Sequence, residues 1–430
     1  MNTNKLISLI IILFNLVLIS SQTNAVTFQL KAATKTLTLP DGTKVPMWGF
    51  GLKGSQITIP GPLLEVPLGD STLTIELTNN LSQPVSIVIP GQITTMTPVR
   101  FNDGKGHQRV RAFTQETAPK KSGTYTWNNL KPGTYVYHSG TQPAVQVQMG
   151  LYGGVKKDVA SNQAYSGIAY DHEVTLFYSE IDPYLHRMIN QGKYGPGKTV
   201  TSTINYQPKY FLVNGQPYSQ DQTPLSAGIQ GETTLIRFIN MGLKTHVPTL
   251  NGLYLRIIAE DGNLYPYPRE QYTVMLAAGK TKDALLTPDQ AGVYAVYDRR
   301  LNLTNDKSPN GGMLTYLDID PAPPANNSTV SSVSIMQTKY KLEDNLLLVK
   351  ASTDSDPDTV TLVAEANFSN TTEPELLGTL LYIDNKGFYR KYFSNITKAP
   401  DSITVTVWPI NGEMSTITNN TDTKPVPFEQ

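Results

Sequence analysis

The chain contains no cysteine. That excludes disulfides, thiolate nucleophiles, iron–sulfur clusters, cysteine-held structural zinc and any metal centre built on a thiolate. Histidine is nearly as scarce, with 5 in 430 residues. Charge is sparse and balanced: 35 Lys and Arg against 35 Asp and Glu, together 16% of the residues. The long-range positive field that holds a phosphate backbone or an anionic bilayer is therefore missing, and nucleic acid is not an expected partner. Gly-x-Ser-x-Gly elbows, phosphate loops and His-Glu-x-x-His motifs are absent, so a hydrolase or nucleotide enzyme has no positive support. What is plentiful is turn and strand chemistry, with 32 Gly, 30 Pro and 23 Tyr. That balance favours an all-β chain.

One long apolar run exists, Leu6 to Ile19, preceded by Lys5 and followed by polar residues up to Asn24 and Ala25. Its length suits a cleavable signal peptide, 1–25, better than a bilayer span, so the mature chain is expected to start near Val26 in a periplasmic or secreted space, with no stable membrane span left after cleavage. From there on, period-two alternation dominates. Leu73, Ile75 and Leu77 interleave with Thr72, Thr74 and Glu76, the pattern of a half-buried strand. Similar stretches are expected as strands at Glu173 to Tyr178, Thr233 to Asn240, Leu253 to Glu260, Tyr272 to Leu276 and Val293 to Asp298. Pro321 to Ser328, with three prolines, reads as an extended linker. Beyond it, Asn345 to Lys350, Thr359 to Ala366, Gly378 to Ile383, Gly387 to Phe393 and Ser402 to Trp408, where Ile403, Val405 and Val407 alternate with Thr404 and Thr406, read as short strands spaced for a small sandwich.

Two stretches carry a family pattern. Gly61-Pro62-Leu63-Leu64-Glu65-Val66 is followed by Gly69-Asp70 and Asn79-Asn80-Leu81; later come Pro132-Gly133-Thr134-Tyr135-Val136-Tyr137-His138-Ser139-Gly140 and Gly150-Leu151-Tyr152-Gly153. These resemble the first domain of the multicopper oxidase superfamily. Tyr210 to Gly215, Ile236 to Asn240 and Ile258 to Gly262 are similar to its second domain. The resemblance implies two cupredoxin-like Greek-key β-sandwiches, 26–158 and 159–320, then a linker, 321–332, and a smaller Ig-like β-sandwich, 333–425.

It also implies copper held by four His-x-His pairs and a cysteine. Alternate residues of a strand face the same way, which is how one pair aims two imidazoles at neighbouring ions. Here the first pair aligns with Val88 and Pro90, and the second with His138 and Gly140, so only His138 can ligate. The full set needs about ten imidazoles and one thiolate; the composition cannot supply them.

The expectation is thus a chain with no catalytic residues and no cofactor, a degenerate copper site with His138 as a relict ligand at most, and a scaffold or binding role toward a protein or another envelope component. Two alternatives remain open: a copper oxidoreductase whose ligands another chain completes, and an adhesin or carbohydrate-binding module acting through the last sandwich. His107 reads as a solvated turn residue, while His172, His186 and His246 are isolated, with His246 expected to be an ordinary loop residue. Asp354, Asp356 and Asp358 read as a polar turn rather than a calcium loop. Tyr265-Pro266-Tyr267-Pro268 is expected to plug a seam between domains rather than to form a binding ridge.

Overall fold

The computed structural model describes residues 24–322, 333–341, 343–353, 357, 360–369, 374–383, 387–396, 398–409, 421–426 and 428–429. The proposed leader up to residue 23, most of the proposed linker and the Asp354, Asp356 and Asp358 turn lie outside the described residues.

The first unit comprises β1 (Asn24–Thr38), β2 (Lys44–Leu52), β3 (Leu64–Val66), β4 (Asp70–Asn79), β5 (Val99–Asn102), β6 (Gln108–Ala112), β7 (Ser122–Trp127), β8 (Gly133–His138), α1 (Pro143–Gln146) and β9 (Tyr152–Lys157). One sheet has the order β2-β1-β4-β7 and the other β3-β9-β8, while β5 and β6 form a separate hairpin. Leu73, Ile75 and Leu77 on β4 are fully buried, against Trp48, Phe50, Tyr125, Trp127 and Tyr137 among others. Each such side chain contributes about 1.5–3 kcal/mol relative to exposure.

The second unit follows with β10 (Gln163–Tyr165), β11 (Ile168–Ala169), β12 (His172–Ile181), α2 (Pro183–Asn190), β13 (Tyr210–Val213), β14 (Leu225–Ile229), β15 (Thr234–Asn240), β16 (Pro248–Leu250), β17 (Leu255–Glu260), β18 (Asn263–Gln271), β19 (Thr281–Leu286), β20 (Gly292–Asp298) and β21 (Leu314–Asp320). Its sheets are ordered β13-β12-β15-β19-β17-β18 and β14-β21-β20-β16. The two units share apolar contacts, among them Val136 and Tyr152 with Phe177, Ile239 and Met241. Leu39, Val45 and Met47 likewise meet Ile181, Tyr210 and Leu212.

A third pair of sheets closes the fold: β22 (Val333–Lys341), β23 (Leu346–Thr353), β24 (Val360–Asn367), β25 (Glu375–Thr379), β26 (Leu381–Ile383), β27 (Phe388–Phe393), β28 (Ser402–Pro409), β29 (Thr421–Pro425) and β30 (Phe428–Glu429). Their orders are β26-β27-β23-β22-β30 and β25-β24-β28-β29. Ile403, Val405 and Val407 of β28 are buried between the sheets, as their alternation predicts. The architecture is all-β, a set of stacked sandwiches.

Two local expectations need correction. Tyr272 to Leu276 is no strand; Thr273 and Leu276 form only isolated bridges, to Thr249 and His246. The ladder strand is instead Asn263–Gln271, which contains the Tyr-Pro strip, and it does not plug a seam. It is the outer strand of the six-stranded sheet, with Tyr267 88% exposed. Prolines are tolerated there because an edge strand has one side without ladder bonds, and they blunt that edge against further pairing.

Candidate functional site

The positions singled out by the family pattern do converge. His138 ends β8, and Val88 pairs with it in an antiparallel bridge, the Val88 N–H donating to His138 O at 2.9 Å and the His138 N–H to Val88 O at 3.0 Å. Gly140 follows two residues on, its carbonyl accepting from the Phe113 N–H at 3.2 Å. A Cβ at position 140 would stand 2.7 Å from Val88 Cγ1 and 3.1 Å from Ser86 Oγ. No donor side chain fits there while Val88 keeps its place.

Beside His138 lies a cavity of about 240 Å³ lined by Val88, Ile89, Pro90, Thr94, Phe113, Thr114, Trp127 and His138. The lining is chiefly aliphatic and aromatic. Its two hydroxyls are committed: Thr114 Oγ1 donates to Ile87 O at 2.8 Å, and Thr94 Oγ1 donates to Thr126 O at 3.4 Å while accepting from the Met96 N–H. His138 Nδ1 lies 2.9 Å from Ser139 O. A carbonyl only accepts, so Nδ1 carries the proton and Nε2 presents a lone pair. Burial depresses the imidazole's affinity for a second proton, the Ser139 contact opposing it, and the net shift is downward. Nε2 has no hydrogen-bond partner among the described residues.

Nearby polar groups satisfy one another. Ser139 Oγ donates to Gln146 Oε1 at 2.6 Å, and Gln146 Nε2 donates to Pro84 O at 2.9 Å. Thr141 Oγ1 lies 3.0 Å from Ser86 Oγ and 3.2 Å from Glu116 Oε1. Among the described residues no three His, Asp or Glu side chains gather as a metal-holding group. Copper calls for imidazoles and soft sulfur, and one imidazole amid valine, proline, phenylalanine and tryptophan does not fit it.

The other histidines are held by the protein. His107 is exposed, with Nδ1 3.0 Å from Asp103, in the turn expected of it. His172 Nε2 lies 2.5 Å from Glu232. His186 sits on α2, which Asp182 caps by accepting from the Tyr184 and Leu185 N–H groups, with Pro183 in the first turn. His186 Nδ1 donates to Pro46 O at 3.1 Å, and burial pushes the imidazole down to about 4 despite that bond.

His246 is no ordinary loop residue. It is fully buried, with Nε2 2.9 Å from Glu180 and Nδ1 3.2 Å from Asp298, two carboxylates equally hidden from solvent. Burial alone would lower its pKa, but the bonds to Asp298 and Glu180 win and raise it. With both nitrogens occupied it has no lone pair for a metal.

A second buried ionic group joins the two N-terminal units. Arg237 on β15 pairs with Asp158 at 2.7 Å and Glu173 at 3.1 Å, and its Nη1 donates to Thr134 Oγ1 of β8 at 2.9 Å. Thr134 donates onward to Asp283 at 2.6 Å, and Tyr165 OH donates to the same carboxylate at 2.5 Å. Burial raises the Asp283 carboxyl above its ordinary value although Arg237 and the two hydroxyl donors pull it down. Neither charged group was foreseen. The available signal was a lone charge in an apolar strand, as Arg237 in β15 is.

Two family models described as multicopper oxidase match residues 31–156 and 183–317. The copper-containing nitrite reductase of Neisseria meningitidis serogroup B is 29% identical over 319 residues, 73% of this chain and 72% of that protein. Laccase-3 of Oryza sativa subsp. japonica is 26% identical over 273 residues, 60% of this chain and 45% of the laccase. Among solved structures, the blue copper oxidase from Nitrosomonas europaea superposes with a TM-score of 0.55 at 21% identity, covering 69% of this chain and 86% of that one.

Proposed function

Because this chain belongs to the multicopper oxidase family, with two matching domains, we propose that it is a copper-free member, exported by its first 25 residues, that works by binding rather than by electron transfer. The names of its relatives, copper nitrite reductase and laccase, point toward a copper enzyme. Against that stands the observation that carries the proposal: around His138 the expected donor positions hold Val88, Pro90 and Gly140, and the whole chain has no cysteine. The turns that build the sandwich persist while the groups that would grip a metal are replaced. The partner is a protein or another envelope component met through this framework.

Elemental analysis of the purified chain after copper loading, with an absorption spectrum and an oxidation assay on a phenolic substrate, tests the proposal. The expected result is substoichiometric copper, no intense thiolate-to-copper band and no turnover. Copper retained at one or more per chain, with turnover, overturns it and favours ligands completed by a neighbouring copy.

A further inference from the structure

We propose that the cavity beside His138 binds a small aromatic molecule carrying a single N–H or O–H donor, its ring against Val88, Phe113 and Trp127 and its donor bonded to His138 Nε2. This rests on the copper-free assignment of the same site.

Three observations set the ligand's chemistry. The volume, about 240 Å³, exceeds the roughly 150 Å³ that accommodates benzene in a dry protein cavity; one or two fused rings fit. Trp127 is almost wholly buried and Phe113 is 54% exposed, so one aromatic is set deep in the unit's core and the other stands at the surface. Ring-on-ring contact favours an aromatic occupant over an aliphatic one. The third observation is the state of the polar lining. Both threonine hydroxyls are spent on backbone carbonyls, and the His138 Nδ1 proton is spent on Ser139 O. What His138 offers is the lone pair at Nε2, which selects a ligand carrying an N–H or O–H donor.

Isothermal titration calorimetry with indole, and with indene as the same shape lacking the N–H, tests this. The wild-type chain is expected to bind indole at one site with a dissociation constant on the order of 0.1 mM, and indene about five- to tenfold more weakly. His138→Leu should bring indole down to the indene value and leave indene within about twofold. Val88→Phe should fill the space and abolish both. Phe113→Ala, a change at a half-exposed side chain that the core does not need, should weaken both probes and keeps the test valid if Val88→Phe does not fold. The proposal is overturned if wild type shows no saturable heat at millimolar indole, if indene binds as well as indole, or if Val88→Phe folds and binds indole like wild type. Its failure is distinct from that of the copper-free assignment: metal analysis decides the latter, and a copper-free chain that ignores indole sinks only this proposal.

Discussion

At the scale of single residues, two buried histidines respond to acid in opposite ways. His186 has a folded pKa of about 4 against an ordinary 6.5, so the unfolded chain takes up the proton first. Stability therefore falls as pH drops from 6.5 toward 4, by about 3 kcal/mol in all. His246 is the reverse case. Its pKa is raised above 6.5, so its contribution is fully present below 6.5 and is lost as pH rises through the folded value. Burial pushes Asp298 up, yet bonds from His246, the Val247 N–H and Asn302 hold it below its ordinary 3.8; its contribution is full above 3.8 and is lost as pH falls through the depressed value. The His246 group is thus worth most between about pH 4 and 6.5. Urea melts of wild type, His186→Gln and His246→Gln from pH 4 to 9 read both slopes. The His186→Gln variant should gain on wild type as pH drops, and the His246→Gln deficit should shrink at alkaline pH. Parallel curves for all three chains would contradict the assignment. Gly242 belongs to the same group, since a Cβ there would meet Glu180 Oε2 at 1.7 Å.

At the scale of elements, the period of the side chains made β4, β12, β15, β17 and β28 legible, because strand faces alternate whatever the rest of the fold does. It failed at Tyr272 to Leu276, where alternation exists but the segment forms only isolated bridges, to Thr249 and His246, rather than a ladder. It failed also at β18, where two prolines argue against a strand until the strand proves to be an edge. Similarly, Gly378 to Ile383 reads as one strand but divides into β25 and β26, which lie in different sheets. The candidate site was legible in its residues and illegible in its shape: motif spacing located Val88, Pro90, His138 and Gly140, whereas Phe113 and Trp127 join them only through sheet closure. Arg237 illustrates a role that no local pattern discloses. It draws on β8, β12 and the Asp158 loop from within β15, so it couples two units. Removing it leaves Asp158 with the Tyr170 hydroxyl, Asp283 with the Thr134 and Tyr165 hydroxyls, and Glu173 with Lys156 and Tyr170. Arg237→Met should cost about 3–5 kcal/mol in urea melts, with Asp283→Asn in the same chain recovering part of the loss. A melt indistinguishable from wild type would show that the group is neutral.

At the scale of the whole molecule, the C-terminal sandwich is fastened to the second unit by charge. Lys391 of β27 pairs with Asp320, and lies 3.6 Å from Asp318, both at the end of β21. Thr379 Oγ1 of β25 donates to Asp320 at 3.0 Å. Burial raises the Asp320 carboxyl even with Lys391 pulling it down, so loss of the lysine would raise it further. Lys391→Ala should accelerate amide hydrogen exchange along β25 and β27 while leaving β4 and β15 unchanged, because the ionic contact lies on one side of the molecule only. Uniform protection in the variant would mean that apolar packing alone docks the sandwich.

The sequence by itself determined that this is an all-β chain of the multicopper oxidase family without a cysteine to hold copper, since alternation, turn residues and composition are local quantities that need no coordinates. Only the tertiary structure decided which partners the remaining polar groups find. That depends on burial and on partners 52 and 66 residues away, as Asp298 and Glu180 are for His246. By the same means it turned two of the replaced donor positions, Val88 and Pro90, into the wall of a chiefly apolar cavity beside His138.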